Sequence, residues 1–471
     1  MEFTMTTLVL LLAACATPDG TPDTDGTGGT DGTEDTQSSE TTDTSTSEPT
    51  AAEITYYADA KAILDTRCAT CHQAGEIAPF PLTTFAEVEA VAAAVEWAVA
   101  AGTMPPWHAG EECRDYDNNI DLTEEERDTL LSWLASDTPE GDPSTSTSPG
   151  VPEAITLDVD VEYLLPEAYT PANEPDDYRC FIIPWESDEP TYVTGFEVRP
   201  DQAEIVHHVI AYLLEPDEVE AYQAMAASEE GPGYTCYGGP STNEEDNGGE
   251  VRQLASWAPG AAPTEYPEGT GILVDPGSAL VLQMHYNTVS AAPAPDRSSV
   301  ALRLASEVER PAMVQLMSNP DWLDPGGMPI PAGEASVIHS SEVDLPLYLA
   351  FLGSGDIGID YGDPFEIHSV GFHMHELGVR GRTSIIRADG TEECLLTIED
   401  WDFNWQGRYI LAEPIVVNSD DRLYIECEWD NSAANQPIID GQQADPIDVE
   451  WGDGTRDEMC LTGLYITAVE G

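Results

Sequence analysis

Six side chains that bind soft or borderline metal ions occur in short clusters along this sequence. They comprise two adjacent histidines, one single histidine, two histidines separated by one residue, and a methionine near the C-terminus: His207, His208, His285, His373, His375 and Met459. Imidazole binds both oxidation states of copper, a thioether favours Cu(I), and the set contains no carboxylate. It therefore predicts two copper ions, one held by three histidines and the other by two histidines and a methionine.

The elements that carry these residues decide whether they can share an ion. Residues i and i+2 of a strand face the same side, so His373 and His375 can bind one ion together. Adjacent His207 and His208 would face opposite sides, so joint binding needs a β-bulge, or one ring using Nδ1 and the other Nε2. A single histidine is more often a packed or surface residue. Because five of the nine histidines fall in these clusters, that explanation is a poor one for all five.

A second metal-binding pattern, CATCH, runs from Cys68 to His72. It is typical of c-type heme attachment, in which two thiols (Cys68 and Cys71) form thioethers and the adjacent histidine binds the iron. Met104 is the expected sixth iron ligand, His108 is its competitor, and a five-coordinate heme remains open. A redox or zinc CxxC site is the alternative, but the second ligand pair and the thioredoxin-like βαβ pattern are missing.

Composition divides the N-terminal part of the chain. Residues 1–15 form an apolar segment that resembles a bacterial lipoprotein signal, with Cys15 as the lipidated residue, although its first residues include no Lys or Arg. The alternative is an uncleaved apolar N-terminus. Residues 16–50 predict a disordered acidic tether rich in Thr, Asp and Gly. Residues 51–137 predict a small all-α domain that resembles cytochrome c, and 138–152 predict a linker.

Beyond the linker, alternating apolar runs such as SALVLQMHYNT and DRLYIECEWDN predict short antiparallel strands. This part of the chain is too long for one sandwich, so two are expected, at 153–305 and 306–471. The predicted fold class is mainly β. It consists of two consecutive antiparallel β-sandwich (jelly-roll-like) domains preceded by the small all-α domain.

The charge of the chain restricts its partners. A net charge of −73, from 89 acidic and 16 basic residues, repels nucleic acid and anionic lipid, so membrane contact is expected only through a lipid anchor. After the N-terminus, no apolar run reaches the roughly 18 residues that a membrane span requires. The signal places the protein on the periplasmic or cell-surface side of a bacterial membrane, where disulfides can form.

The segments around the six ligands resemble the copper type II, ascorbate-dependent monooxygenases, the family of peptidylglycine α-hydroxylating monooxygenase and dopamine β-monooxygenase. The resemblance covers roughly 155–471, and its segments follow the family's order: HHV, SWAPGAAPTEYPEGTG, LVLQMHYN, HMHELG and DEMC. It implies that the three-histidine group is the electron-transfer site. It also implies that the group with Met459 is the oxygen-activating, catalytic site.

The resemblance also implies two disulfides. Cys427 would pair with Cys460, which directly follows the methionine ligand, and Cys180 would pair with Cys236. The remaining two cysteines, Cys113 and Cys394, have no counterpart in the family. They either pair with each other across domains or stay as buried thiols.

Three departures from the family concern the substrate. Peptide-amidating members carry an arginine at the position of Gly371, where it binds the substrate carboxylate. The asparagine that follows the DEMC cysteine is replaced by Leu461, and the chain runs one residue longer before Tyr465, the expected substrate-side tyrosine. A glycine-extended peptide is therefore not the expected substrate.

The function implied by the resemblance is hydroxylation of a C–H bond of a small organic molecule with O₂. The two electrons would come from ascorbate or from a periplasmic protein donor. The fused heme would relay them to the three-histidine site. The alternatives are a non-enzymatic copper and heme electron-transfer lipoprotein, and a heme-centred enzyme such as a peroxidase with a β-sandwich appendage.

Overall fold

The computed structural model describes residues 53–469 except for 75–77, 111, 153–155, 174–175, 237–238, 241–250, 259–260, 289–290, 346–348, 350–356, 404, 440–441, 453 and 455. The signal segment at 1–15, its Cys15, and the tether at 16–50 lie outside the described residues. Within the described part, no helix is long and apolar enough to cross a membrane.

Helices dominate residues 54–150. The first helical run consists of a π-helical turn (Tyr56–Ala60), α1 (Lys61–Ile63) and a second π-helical turn (Leu64–Cys68), and it ends at the first cysteine of the CATCH motif. The later helical elements are α2 (Phe85–Ala100), α3 (Glu124–Leu134) and a 3₁₀ turn (Pro143–Thr145). A capping box begins α3: the Thr123 side chain accepts from the backbone N–H of Glu126, and the Glu126 side chain accepts from the backbone N–H of Thr123. The helices share one apolar core built around Leu64, Leu130 and Trp133.

The first set of strands precedes residue 306. It comprises β1 (Val161–Leu164), β2 (Asp176–Pro184), β3 (Thr191–Arg199), β4 (Val206–Leu214), β5 (Tyr234–Thr235), β6 (Arg252–Trp257), β7 (Thr264–Glu265), β8 (Thr270–Val274), β9 (Ala279–Asn287) and β10 (Ser299–Ala305), with helix α4 (Val219–Ala226) after β4. Alternating residues of these strands point into one apolar core that includes Phe181, Phe196 and Tyr286. Strand β9 lies between β2 and β4, so it is an interior strand of its sheet.

The second set of strands builds the C-terminal half. It comprises β11 (Arg310–Met317), β12 (Val337–Val343), β13 (Phe365–His373), β14 (Gly378–Ile386), β15 (Glu392–Ile398), β16 (Arg408–Val417), β17 (Arg422–Trp429), β18 (Ile438–Ile439), β19 (Gln442–Gln443) and β20 (Leu461–Ala468), with a 3₁₀ turn at Pro320–Trp322. One sheet has the order β12-β17-β14-β15, and the other pairs β13 with β16 and β20. The fold is mainly β and consistent with two β-sandwiches.

Strand β11 belongs to both halves. It pairs with β20 of the C-terminal half and also with β6 and β8 of the first half. The two sandwiches therefore share a continuous hydrogen-bonded sheet, and a ligand on β4 or β9 is tied through β11 to ligands near β13 and β20.

The segment after α2 lies along the C-terminal sandwich. Ala109 forms a β-bridge with Ile398, and Tyr116 forms another with Leu411. The side-chain amide of Asn118 donates to the carbonyl of Arg408 at 2.7 Å. This segment belongs to the helical part of the chain. In the described part of the chain, these contacts join it to β15 and β16.

Three disulfides are present among the residues that the structure describes, which is typical of an exported protein. Cys180 pairs with Cys236 and Cys427 with Cys460, the two bridges that the family resemblance implies. The third bridge, Cys113–Cys394, joins the docked segment to β15. The sequence left these two cysteines open between a bridge and two buried thiols, and the structure forms the bridge.

Replacing Cys113 and Cys394 with alanine is expected to lower the free energy of unfolding by about 2–5 kcal/mol, because a bridge across a long loop restricts the unfolded chain. The two residues are 281 positions apart. Urea unfolding followed by tryptophan fluorescence measures the change. The control is Arg114→Ala, which removes the adjacent ion pair with Glu393 and should cost about 1 kcal/mol or less. Equal unfolding midpoints for the disulfide variant and the wild type would contradict the expectation.

Candidate metal centres

A β-bulge brings the first three histidines together. In the pairing of β4 with β9, Val206 lies opposite Tyr286 and His208 lies opposite His285, which leaves His207 as the extra residue. A bulge of this kind turns two consecutive side chains toward the same side of the sheet. The Nδ1 atom of His285 is 3.1 Å from Nδ1 of His207 and 3.3 Å from Nδ1 of His208. Of the two geometries that the sequence allowed for adjacent histidines, the structure has the bulge.

These separations fit a bound metal ion. Nitrogen ligands about 2.0–2.1 Å from an ion, at angles of 90–120°, lie roughly 2.8–3.6 Å from one another. Burial lowers the pKa of His207 to about 4, and the nearby His285 acts in the same direction. Burial likewise holds the pKa of His208 well below its usual value. The rings are therefore neutral and offer nitrogen lone pairs, the form that copper binds.

A hydrogen bond to a carboxylate orients the ring of the third histidine. The Nε2 of His285 donates to the carboxylate of Asp176 at 2.8 Å, which leaves Nδ1 as the ligand atom. The ring of Tyr178 stacks on His285 with 4.1 Å between the centroids. Burial disfavours the charged carboxylate, but hydrogen bonds from His285 and Asn287 outweigh it and hold the pKa of Asp176 below its usual value. An ionised Asp176 therefore fixes the tautomer of His285 and increases its basicity.

Replacing Asp176 with alanine is expected to weaken copper binding at the three-histidine set by about 10–100-fold, the usual cost of losing a partner behind a histidine ligand. Competition with a copper chelator would measure the affinity in a His373→Ala/His375→Ala background, so that only this set is titrated. Glu204→Ala is the control, since it removes an exposed acid close in sequence to His207. An affinity loss shared equally by both variants would indicate a general charge effect and contradict the specific role of Asp176.

The second group of ligands gathers at one end of β13. His373 ends the strand and lies opposite Leu461 of β20, so Met459, two residues earlier, approaches the same edge of the sheet. The rings of His373 and His375 are 5.1 Å apart and nearly perpendicular. Met459 is buried. The pairing of β13 with β20 thus brings together residues that are more than 80 positions apart.

Hydrogen bonds orient both histidines of this group. His373 donates from Nδ1 to the side-chain oxygen of Gln406 at 2.6 Å, and His375 donates from Nδ1 to the backbone carbonyl of Asp457 at 3.0 Å. Each ring therefore keeps its Nε2 for an ion. Burial lowers the pKa of His373, and it lowers that of His375 to about 3. Two neutral imidazoles with a thioether make a soft donor set that suits copper.

A buried carboxylate holds the backbone under this group. Glu458 accepts from the backbone N–H of His375 at 2.9 Å, from the backbone N–H of Leu377 at 2.7 Å and from the indole of Trp429 at 2.8 Å. Burial raises the pKa of Glu458 to about 7, although these hydrogen bonds lower it. Glu458 precedes Met459 directly, so it ties the methionine loop to the His375 turn.

Sequence reasoning did not identify several of these supporting residues. Asp176, Tyr178 and Gln406 lie far from the ligands in the sequence and belong to no local pattern. Glu458 is part of the DEMC segment, which offered a signal, but the sequence assigned it no role. The structure identifies all four through their contacts with ligand residues.

The residues of the CATCH motif fit a heme in their chemistry. Cys68 and Cys71 remain thiols outside the disulfides, and burial raises the pKa of Cys68 to about 12. His72 donates from Nδ1 to the carbonyl of Phe80 at 3.0 Å, which leaves its Nε2 for an iron ion. Met104 is 41% exposed. His108 has a buried Nε2 with no hydrogen-bond partner among the described residues, so both candidate sixth ligands keep an available donor atom.

Tyr465, the expected substrate-side tyrosine, is only 2% exposed. Its hydroxyl lies 2.8 Å from that of Thr270, and its ring stacks on Tyr266. Tyr465 thus packs in the first core, and no ring contact or hydrogen bond between it and the six ligands occurs in the described part of the chain. Gly371 lies opposite Gly463, so two residues without side chains face each other beside His373.

Two family models match the parts of the chain that contain the two ligand sets. The copper type II ascorbate-dependent monooxygenase N-terminal domain matches residues 161–293, which contain the three-histidine set. The C-terminal domain of the same family matches residues 361–467, which contain the other set. The search of curated proteins gave no match.

Similarity to solved structures is weak. A protein from Parabacteroides distasonis is 9% identical over 67% of this chain and 92% of its own, with a TM-score of 0.15. The cowpea mosaic virus top component is 9% identical over 67% of this chain and 94% of its own, with a TM-score of 0.22. Scores this low carry no argument about fold or function.

Proposed function

The chain belongs to the copper type II ascorbate-dependent monooxygenase family, and we propose that it hydroxylates a C–H bond of a small organic substrate with O₂. The observation that carries the proposal is the pair of ligand sets. Three histidines offer ligand atoms close to one another, and two histidines that keep Nε2 for an ion lie at the sheet edge that Met459 approaches. One set suits electron transfer and the other suits oxygen chemistry.

His373, His375 and Met459 are the proposed ligands of the catalytic copper. Copper held there would supply O₂ binding and one-electron chemistry. The chain's own residues would supply the geometry: Gln406 and the carbonyl of Asp457 hold the two Nδ1–H groups. Because burial keeps both rings neutral, their Nε2 lone pairs are available to copper.

His207, His208 and His285 are the proposed ligands of the electron-storing copper. Three imidazoles bind both oxidation states of copper, and the ionised Asp176 behind His285 adds negative charge that favours the oxidised state. Hydroxylation needs two electrons, so this set would provide the second one. The reductant would be ascorbate or a protein donor.

Residues 51–137 are proposed to hold a heme c that relays electrons to the copper sites from a periplasmic donor. Cys68 and Cys71 would form the thioethers, His72 would bind the iron, and Met104 would be the sixth ligand. The support is that both cysteines remain thiols and that Phe80 orients His72. The proposal also includes export through the signal at 1–15, lipidation at Cys15 and a tether at 16–50.

The test is reductant-driven oxygen uptake by the copper- and heme-loaded protein, supplied with amines, phenethyl compounds and steroids under ¹⁸O₂. One labelled oxygen atom in a product, found by mass spectrometry, would support the monooxygenase. Two copper ions per chain and a reducible heme without label in any product would instead favour a non-enzymatic electron-transfer protein. The absence of an arginine at Gly371 leads us to expect no turnover of glycine-extended peptides.

Replacing both Cys68 and Cys71 with alanine is expected to abolish covalent heme attachment, because no thiol of the motif is left to form a thioether. The mass of the denatured chain, with and without one heme, is the measurement. The control is Cys113→Ala/Cys394→Ala, which also removes two cysteines but should keep the heme. Covalent heme in the CATCH variant would refute the assigned attachment site, and a wild-type chain without heme would refute the relay.

A further inference from the structure

One aromatic ring touches ligands of both sets. Phe403 lies in the connection between β15 and β16, and its ring stacks on that of His207 with 5.7 Å between the centroids. The same ring meets His375 edge-on, with a centroid distance of 6.0 Å. His207 belongs to the first sandwich and His375 to the second. Phe403 therefore occupies the space between the two proposed copper sites.

The turn that carries Phe403 is anchored to a third ligand. The side-chain amide of Gln406 donates to the carbonyl of Phe403 at 2.9 Å, while its oxygen accepts from Nδ1 of His373 at 2.6 Å. The backbone N–H of Trp405 donates to the carbonyl of Asp402 at 3.0 Å and closes the turn. One short turn thus contacts ligands on β4, on β13 and just after β13.

Core packing does not account for the position of this ring. Phe403 is half-buried, and it belongs to neither the first core nor the C-terminal core among the described residues. Its ring neighbours are two imidazoles that carry proposed ligand atoms. An apolar side chain placed there removes water from the gap between the two sets.

We propose that Phe403, anchored by Gln406, is a positioning residue that sets the separation of the two ligand sets and closes the gap between them to water. The inference rests on the proposed function. Between the sets, one electron would pass from Cu(I) at the three-histidine set, which becomes Cu(II), to Cu(II) at the other set, which becomes Cu(I). No bond forms or breaks in that step. Its rate falls steeply with distance, so a fixed short separation favours it.

A dry gap has a second effect. Exclusion of water from a site strengthens the electrostatic interactions within it and suppresses the loss of reactive species to side reactions. Removal of the ring would admit water between the sets and let the ligands that it contacts shift locally, while β11 still joins the two halves. We expect both the spacing of the ions and the release of hydrogen peroxide to depend on Phe403.

The test uses the full chain loaded with two Cu(II) ions and measures their magnetic dipolar interaction by electron paramagnetic resonance. In Phe403→Ala the interaction is expected to weaken at least twofold, whereas Phe403→Tyr should preserve it because the ring remains. Trp405→Leu is the matched control, since this neighbour in the same turn makes no ring contact with the ligands in the part of the chain that the structure describes. With ascorbate and O₂, peroxide release should rise severalfold only in Phe403→Ala.

Copper analysis separates this inference from the proposed function. Fewer than two copper ions in the wild type would overturn both. Two ions in Phe403→Ala with an unchanged dipolar interaction would overturn the role of Phe403 alone. If the alanine variant does not fold, Phe403→Leu replaces it in the dipolar measurement alone, because leucine removes the ring but keeps apolar volume. An equal loss in Trp405→Leu would show general loosening of the turn and would also overturn the inference.

Discussion

Replacing Met459 with leucine is expected to lower reductant-driven oxygen uptake by about 100-fold or more. Loss of a residue that only hydrogen-bonds to a metal ligand already lowers metal affinity or activity by about 10–100-fold. Leucine keeps most of the methionine volume but has no sulfur donor, so the change removes a ligand with little effect on packing. The three-histidine set should keep its copper. An oxygen electrode measures uptake, and copper analysis with electron paramagnetic resonance measures retention.

The matched control for this variant is Met374→Leu. Met374 lies between the two histidines of the same set, yet it is fully buried in the C-terminal core. Its substitution by leucine conserves volume and should leave uptake within about threefold of wild type. Oxygen uptake by Met459→Leu at the rate of Met374→Leu would exclude the thioether as a functional ligand.

Replacing Glu458 with glutamine is expected to lower the free energy of unfolding by about 2–4 kcal/mol, because a buried donor left without its acceptor costs about 1–3 kcal/mol. The carboxylate of Glu458 accepts three hydrogen bonds. A glutamine has one oxygen and one NH₂ group, so at least one of the three N–H donors would face another donor. Urea unfolding of the copper-free chain would measure the loss.

The same substitution should also weaken copper binding. Displacement of the backbone at His375 and Met459 would misplace two proposed ligands at once, and we expect copper affinity of this set to fall about 10–100-fold. Glu399→Gln is the control, because Glu399 is exposed and its neutralisation changes the net charge equally. If both variants unfold at the same urea concentration as wild type, the buried hydrogen bonds of Glu458 contribute little.

The features that could be predicted from the sequence are those encoded over a few residues. The run DRLYIECEWDN corresponds to β17, whose burial alternates, and SALVLQMHYNT corresponds to β9, which is buried at every residue but the last. The Thr123–Glu126 pattern forms the capping box of α3. The adjacency of His207 and His208 allowed either a bulge or the use of different ring nitrogens for joint binding, and the structure has the bulge. In each case the side-chain period of a strand or helix is a local property.

What the sequence by itself determined is therefore the identity and grouping of the proposed ligands and the mainly β fold around them. Only the tertiary structure decided what supports them: Asp176 behind His285, Gln406 behind His373, and the Cys113–Cys394 bridge that ties the helical part to β15. It also decided that Phe403 lies between the two sets. The physical reason is that these contacts join residues far apart in the chain. Strand order and pairing register bring them together, and no local periodicity encodes either one.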